Sequence, residues 1–197
     1  DCGVSPCGSK AAEFDGDSCI EVPNFLDEGV PSYTIEFWFQ PFDNSDQACL
    51  LDKVTGPGMS DAPGWMIRYN DMPAVWESSI HYQEASADGN FHGLLTTDAY
   101  APGEWHHYAL VRSDNGLMRR FVDGEGGSLN QFNAAQFVPI QVSPEPMWLG
   151  CRDNALHFLN GRIDELRISA GERYTASFIP PTEPFVSDEA TLLLYHF

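Results

Sequence analysis

The sequence predicts an all-β chain folded as a single β-sandwich. Three observations carry that expectation. No stretch sustains a helical period, whereas segments of alternating or β-branched and aromatic character recur along the whole length with turn residues between them. The 197 residues, 43% hydrophobic and 13% aromatic, are enough for one sizeable core. No low-complexity linker and no repeat of fixed period divides the chain.

In chain order, residues 1–10 read as an N-terminal arm, D-C-G-V-S-P-C-G-S-K, in which Cys2 and Cys7 are spaced for a small local disulfide loop. Residues 11–197 read as one domain. It opens with a hairpin in which Phe14 and Cys19 to Val22 flank the turn Asp15-Gly16-Asp17. Tyr33–Gln40 is the clearest strand, with Tyr33, Ile35, Phe37 and Phe39 on one face and Thr34, Glu36, Trp38 and Gln40 on the other. Ala48–Val54 and Gly64–Asn70 follow, separated by a Gly/Pro-rich loop. Trp76–Tyr82 and Gly93–Thr97 are weaker strand candidates. Glu104–Arg112 alternates well and returns through Asp114-Asn115-Gly116 into Leu117–Val122. After an aperiodic stretch, Met147–Cys151, Asn160–Ser169 and Glu189–Phe197 are the last strands, and the first and last strands are expected to pair with each other.

Asn160–Ser169, N-G-R-I-D-E-L-R-I-S, places one carboxylate among aliphatic residues. Simple alternation points Ile163, Glu165 and Arg167 one way and Arg162, Asp164, Leu166 and Ile168 the other. A buried Asp164 needs a cation, backbone N–H groups or a metal ion beside it. Asp15 and Asp17, two residues apart in a loop, suit either a turn or a hard cation.

The charge balance, 29 acidic against 10 basic residues and a net −19, repels nucleic-acid backbones and anionic membranes and favours divalent cations or cationic partners. No apolar run approaches 18 residues, so no membrane insertion by a helix is expected. Five cysteines leave at least one without an intrachain disulfide partner, and a beginning at Asp1 suggests a processed or excised product from an oxidising, extracellular setting.

F-D-G-D-S-C-I-E-V-P, Y-T-I-E-F-W-F-Q-P, E-W-H-H-Y-A-L-V-R, R-R-F-V-D-G-E, M-W-L-G, G-R-I-D-E-L-R-I-S and T-L-L-L-Y-H-F follow one another in an order that resembles the laminin-G-like and concanavalin A-like lectin/glucanase superfamily. The resemblance covers roughly residues 11 to 197. It implies a two-sheet antiparallel jelly roll, carbohydrate binding or protein contacts, and in many members a calcium ion, here suggesting Asp15, Asp17 and Asp164 as ligands. It also implies that some members hydrolyse glucans. Their signature places a Glu two residues before an Asp and another three after it; here Asp164 has Arg162 and Arg167 at those positions, and cations cannot replace the acid and nucleophile. No G-x-S-x-G elbow is present, and His106 and His107, adjacent on a strand, face opposite ways. The chain is therefore expected not to be an enzyme.

The expected function is a carbohydrate-binding or adhesion domain on an extracellular or virion surface, taking a glycan or cell-surface polysaccharide. A sugar site needs open aromatic faces beside polar groups, and the candidates are Trp65, Tyr69, Trp76, His81 and Tyr82, with Trp76 the most open. Trp105 and Trp148 are assigned to the core. The alternative is a structural subunit of a fibre, filament or capsid that packs through other protein subunits, with the cysteine-bearing arm as the assembly device.

Overall fold

The computed structural model describes residues 6–7, 10–23, 30–43, 47–54, 64–69, 80–85, 91–95, 100–131, 143–152 and 156–197. Its regular elements are thirteen strands: β1 (Ala12–Asp15), β2 (Ile20–Val22), β3 (Tyr33–Pro41), β4 (Ala48–Val54), β5 (Gly64–Tyr69), β6 (Ile80–Ala85), β7 (Phe91–Leu95), β8 (His106–Arg112), β9 (Leu117–Val122), β10 (Glu125–Gln131), β11 (Met147–Leu149), β12 (Asn160–Ala170) and β13 (Thr191–Tyr195). All pair antiparallel, in two sheets. Sheet A runs β1-β12-β3-β8-β9-β10 with β13 also on β12; sheet B runs β2-β11-β4-β5-β6-β7.

The two sheets bury one core between them. Ile35, Phe37 and Phe39 of β3 project inward with Tyr108 and Leu110 of β8, and meet Leu51 of β4 and Ile67 of β5. Fully burying a side chain such as Phe37 contributes about 1.5–3 kcal/mol, so β3, sealed along all of its length, anchors the sandwich.

The first and last strands share sheet A but do not pair with each other. β1 lies along Asn160–Ile163 and β13 along Leu166–Ser169, one after the other on the same edge of β12. β12 is long enough, at 11 residues, to hold both.

The alternation expected along β12 is broken by a bulge. Asp164 faces Trp38, but the next ladder partner is Arg167, opposite Glu36. Three steps on β12 match two on β3, and Glu165 absorbs the difference with φ of 52°. Ile163, Leu166 and Ile168 consequently all reach the inter-sheet core. Asp164 stands on the opposite side, in the row of Trp38, and does not share a face with Leu166 and Ile168 as strict alternation had suggested.

That second side of sheet A is covered as well. Residues 171–190 cross it as an irregular strap. Tyr174 stacks on Phe178 with centroids 3.6 Å apart, and Phe178 packs edge-on against Phe121 and His107. Gly124, at φ of 77°, lets the strap come close: the Phe178 N–H donates to its carbonyl at 2.9 Å, and a Cβ there would collide with the Phe178 carbonyl. Part of the N-terminal arm is held here too. Cys7 is buried beside Trp38 and Phe185, and its thiol donates to the Pro181 carbonyl at 3.4 Å.

Candidate functional site

Beneath the strap, Glu36 is a fully enclosed carboxylate. Arg167 donates to its Oε1 from Nε at 2.9 Å and Nη2 at 2.7 Å, and Tyr174 donates its hydroxyl to Oε2 at 2.7 Å. His107 Nε2 lies 3.5 Å from the same oxygen. Burial pushes the Glu36 carboxyl up, but His107, the charge of Arg167 and the Tyr174 hydroxyl outweigh it and hold the group below the usual carboxylate range. Arg167 also lies over the Phe185 ring at 4.5 Å, and Arg173 donates to both oxygens of Asp188. These are fastening interactions. Among the described residues they cover the centre of the outer side of sheet A with the strap.

The outer side of sheet B is enclosed at Asp52, Met66 and Arg68 but partly open at its β2 margin. In β11, Met147 and Leu149 enter the core, so Trp148 between them must face outward, and its indole is only half-buried. The ladder sets Trp148 between Glu21 of β2 and Asp52 of β4. Asp52 in turn faces Met66 of β5, and Met66 faces Gln83 of β6. A disulfide between Cys19 and Cys151, Cα atoms 5.5 Å apart, ties the start of β2 to the chain just after β11 and so frames Trp148. An aromatic face with one exposed carboxylate, Glu21, beside it can stack on a sugar ring and accept a hydrogen bond from a hydroxyl, whereas Asp52 is enclosed and its Oδ1 accepts from the Val54 N–H at 3.2 Å. Trp148, which the sequence reading assigned to the core, is thus a further candidate for sugar contact.

The sugar-contact candidates fall elsewhere. Trp65 is 4% exposed and Tyr69 is fully enclosed, its hydroxyl donating to the Tyr100 carbonyl at 2.9 Å. Both point between the sheets, and neither presents a ring face to a ligand. Trp76 lies outside the described residues. On β6, His81 stands opposite Arg68 and Tyr82 opposite the core residue Ile67, so the two occupy opposite rows of sheet B.

The metal candidates do not converge on one ion. Asp15 Oδ1 accepts from the Ser18 hydroxyl at 2.7 Å and the Asp17 N–H at 3.2 Å, bonds that close the turn and hold the carboxyl below its ordinary range. Asp164 is buried and accepts from the Glu165 N–H at 2.9 Å, at the bulge. Asp15 faces Asn160, four residues along β12 from Asp164, which is about 13 Å of strand. Among the described residues no three His, Cys, Asp or Glu side chains gather as a metal site would require.

A disulfide that the sequence reading did not name joins Cys19 and Cys151, while the Cys2 of the suggested arm loop lies outside the described residues. Burial, then the charges of Glu165 and Asp164, push the Cys7 thiol up to about 12, which makes it unreactive near neutral pH. His106 and His107 do face opposite ways, but both are buried, because the strap covers the outer one. His106 packs on Phe39 and Tyr100, and its Nδ1 lies 2.8 Å from Asp123. The signature positions flanking Asp164 hold arginines that are already engaged, Arg162 with Glu13 at 2.7 Å and Arg167 with Glu36.

Two antiparallel sheets packed face to face, one of them crossed by a strap, define an all-β jelly-roll sandwich. The chain belongs to the concanavalin A-like lectin/glucanases superfamily, whose profile matches residues 14–176. No curated protein matches it in sequence. Among solved structures it is similar to a Bacteroides ovatus protein provisionally described as carbohydrate-binding, with TM-score 0.70, 14% identity, and 94% of this chain on 50% of that one. The chain thus spans half the length of that protein. Domain 4 of AbnA, a GH43 extracellular arabinanase from Geobacillus stearothermophilus, in complex with arabinotriose, aligns with TM-score 0.60 and 21% identity, over 83% of this chain and 72% of that domain. The Ruminococcus gnavus IT-sialidase CBM40 bound to alpha2,3 sialyllactose aligns with TM-score 0.64 and 14% identity, over 86% of this chain and 95% of the other.

Proposed function

We propose that this chain is a non-catalytic carbohydrate-binding domain of an extracellular protein, and that it takes its glycan on the outer side of sheet B at Trp148. The observation that carries the reading is the contrast between the two outer sides: the strap covers the centre of sheet A, while Trp148 stands partly open on sheet B beside the exposed Glu21. The similar structures solved with arabinotriose and sialyllactose support glycan as the ligand class. The exposed Glu21 and the net charge of −19 select neutral or amino-bearing saccharides over sialylated or uronic ones. The Cys19–Cys151 disulfide supports an oxidising compartment. Calcium enters as a variable of the assay: the acidic surface supports an interaction with divalent cations, and the carboxylates first suggested for one ion stand apart.

The test is a glycan array read with calcium and with EDTA, followed by calorimetric titration of the best ligand against the wild type and Trp148→Ala. Loss of one stacking indole lowers affinity about tenfold or more, with the melting temperature nearly unchanged. Equal binding by Trp148→Ala would move the site elsewhere. Absence of binding to every glycan in both conditions, with self-association in gel filtration, would favour the structural-subunit alternative.

A further inference from the structure

The inner side of sheet A carries a charge that the sugar site does not use. β8 and β9 pair so that Tyr108 faces Val122, Leu110 faces Arg120 and Arg112 faces Met118. Tyr108, Leu110, Met118 and Val122 all belong to the inter-sheet core, whereas Ala109, Val111 and Phe121 pack under the strap. Arg120, between Met118 and Val122 in alternation, therefore enters the core, and it is 3% exposed. Its Nε and Nη1 are enclosed, and among the described residues neither finds an acceptor. The Tyr108 hydroxyl, one diagonal step away across the ladder, is enclosed and unpartnered in the same way.

An arginine cannot escape this by losing its proton. Two of its nitrogens are enclosed without acceptors, and enclosed polar groups in folded proteins are nearly always paired. The unpartnered groups at this spot are N–H and O–H, beside the core side chains of Leu110, Met118 and Val122. Burial pushes the Tyr108 phenol up, so it stays protonated and able to donate, while the nearby charge of Arg120 acts against that rise. Donors converging in an apolar lining, with a fixed positive charge beside them, form the chemistry of a site for a small, weakly hydrated anion.

We infer that a small monovalent anion of halide size binds inside the sandwich, between the Arg120 guanidinium and the Tyr108 hydroxyl, as a structural ligand of the fold. The site is independent of the proposed glycan surface, which lies on the outer side of the other sheet. It places a counter-charge inside a protein whose surface is strongly acidic, where any anion would otherwise be repelled.

The experiment compares melting in sodium bromide, sodium chloride and sodium gluconate at equal ionic strength, so that screening of the acidic surface is the same in each. Halide at about ten times its dissociation constant raises the wild-type melting temperature by about 3 °C or more over gluconate. Tyr108→Phe, which keeps the ring and removes one donor, reduces the halide-specific rise, and Arg120→Met abolishes it. A crystal soaked in bromide shows an anomalous peak beside Arg120. Equal melting in all three salts, or bromide density confined to the protein surface, overturns the inference and leaves the spot to water.

Discussion

Replacing Glu36 with alanine tests whether the strap is fastened as its contacts indicate. The carboxylate is fully enclosed and receives Arg167 through two nitrogens, the Tyr174 hydroxyl and, more distantly, His107. Its removal leaves the Arg167 guanidinium, about one-tenth open, without its anion. Breaking one side of a buried ion pair costs about 3–5 kcal/mol. For a domain of this size that lowers the melting temperature by about 6–20 °C, a large share of a total stability of roughly 5–15 kcal/mol. Glu36→Gln keeps an acceptor for Tyr174 and loses only the charge, so it costs less, about 1–3 kcal/mol. The assay is equilibrium urea unfolding followed by tryptophan fluorescence, with Trp38 in the cluster as a local reporter. A Glu36→Ala loss below about 1 kcal/mol would mean that water reaches the carboxylate and that the strap is not seated on sheet A. Pairing the alanine variant with Tyr174→Phe gives a second reading: if the two groups share one network, their effects fall short of additivity by about 0.5–3 kcal/mol.

Acid should act through the same carboxylate. Glu36 has a folded pKa below its unfolded value of about 4.3, so its contribution is complete above that pH and is lost as pH falls through the lower, folded value. The urea midpoint should be flat from about pH 6 to 8 and fall below about pH 4, with a weaker fall in Glu36→Gln; a midpoint that already drops between pH 8 and 6 would assign the dependence to other groups. Joint replacement of Cys19 and Cys151 by serine releases a loop of 132 residues, for which loop entropy gives about 5 kcal/mol, read as a lower unfolding midpoint that reducing agent reproduces in the wild type. Gly124→Ala puts a Cβ into the Phe178 carbonyl and strains a φ of 77°, so the strap should lift, with faster limited proteolysis within residues 171–190. Unchanged cleavage would show the approach to be looser than the structure has it.

The fold was legible because its evidence is local and redundant. Tyr33–Gln40 and Glu104–Arg112 alternate so regularly that strand assignment needs no tertiary information, and both form the centre of sheet A. The site was less legible, for identifiable reasons. Trp148 sits in the apolar letters M-W-L, which suggest core, yet strand alternation demands that the middle residue oppose its neighbours, and that signal was available. Trp65 and Tyr69 could not be placed from sequence, since which row of β5 faces inward depends on the register with β4. The bulge at Glu165 was invisible as well. A non-glycine residue at positive φ leaves no compositional mark, and it reversed the face assigned to half of β12. The Cys19–Cys151 disulfide left no local mark in the sequence, because its cysteines stand 132 residues apart and meet only through the pairing of β2 with β11.

The strap reconciles the heavy use of charge with the stability of the fold. A seven-stranded sheet whose outer row contains Glu36, His107, Asp164 and Arg167 would ordinarily face water. Here the row is sealed by Tyr174, Phe178 and Phe185, and its carboxylate is matched to two arginines, one from β12 and one from the strap itself. The strap is therefore docked by directed bonds as well as by apolar area, which fixes its position along the sheet. The centre of sheet A becomes a closed backing, and the proposed glycan site lies on the opposite sheet. There, edge strand β2, the Cys19–Cys151 link and Trp148 stand together at one margin. An indole held by a disulfide-bonded edge loses little freedom when a sugar ring stacks on it, which is the physical basis for expecting Trp148→Ala to weaken binding without loosening the fold.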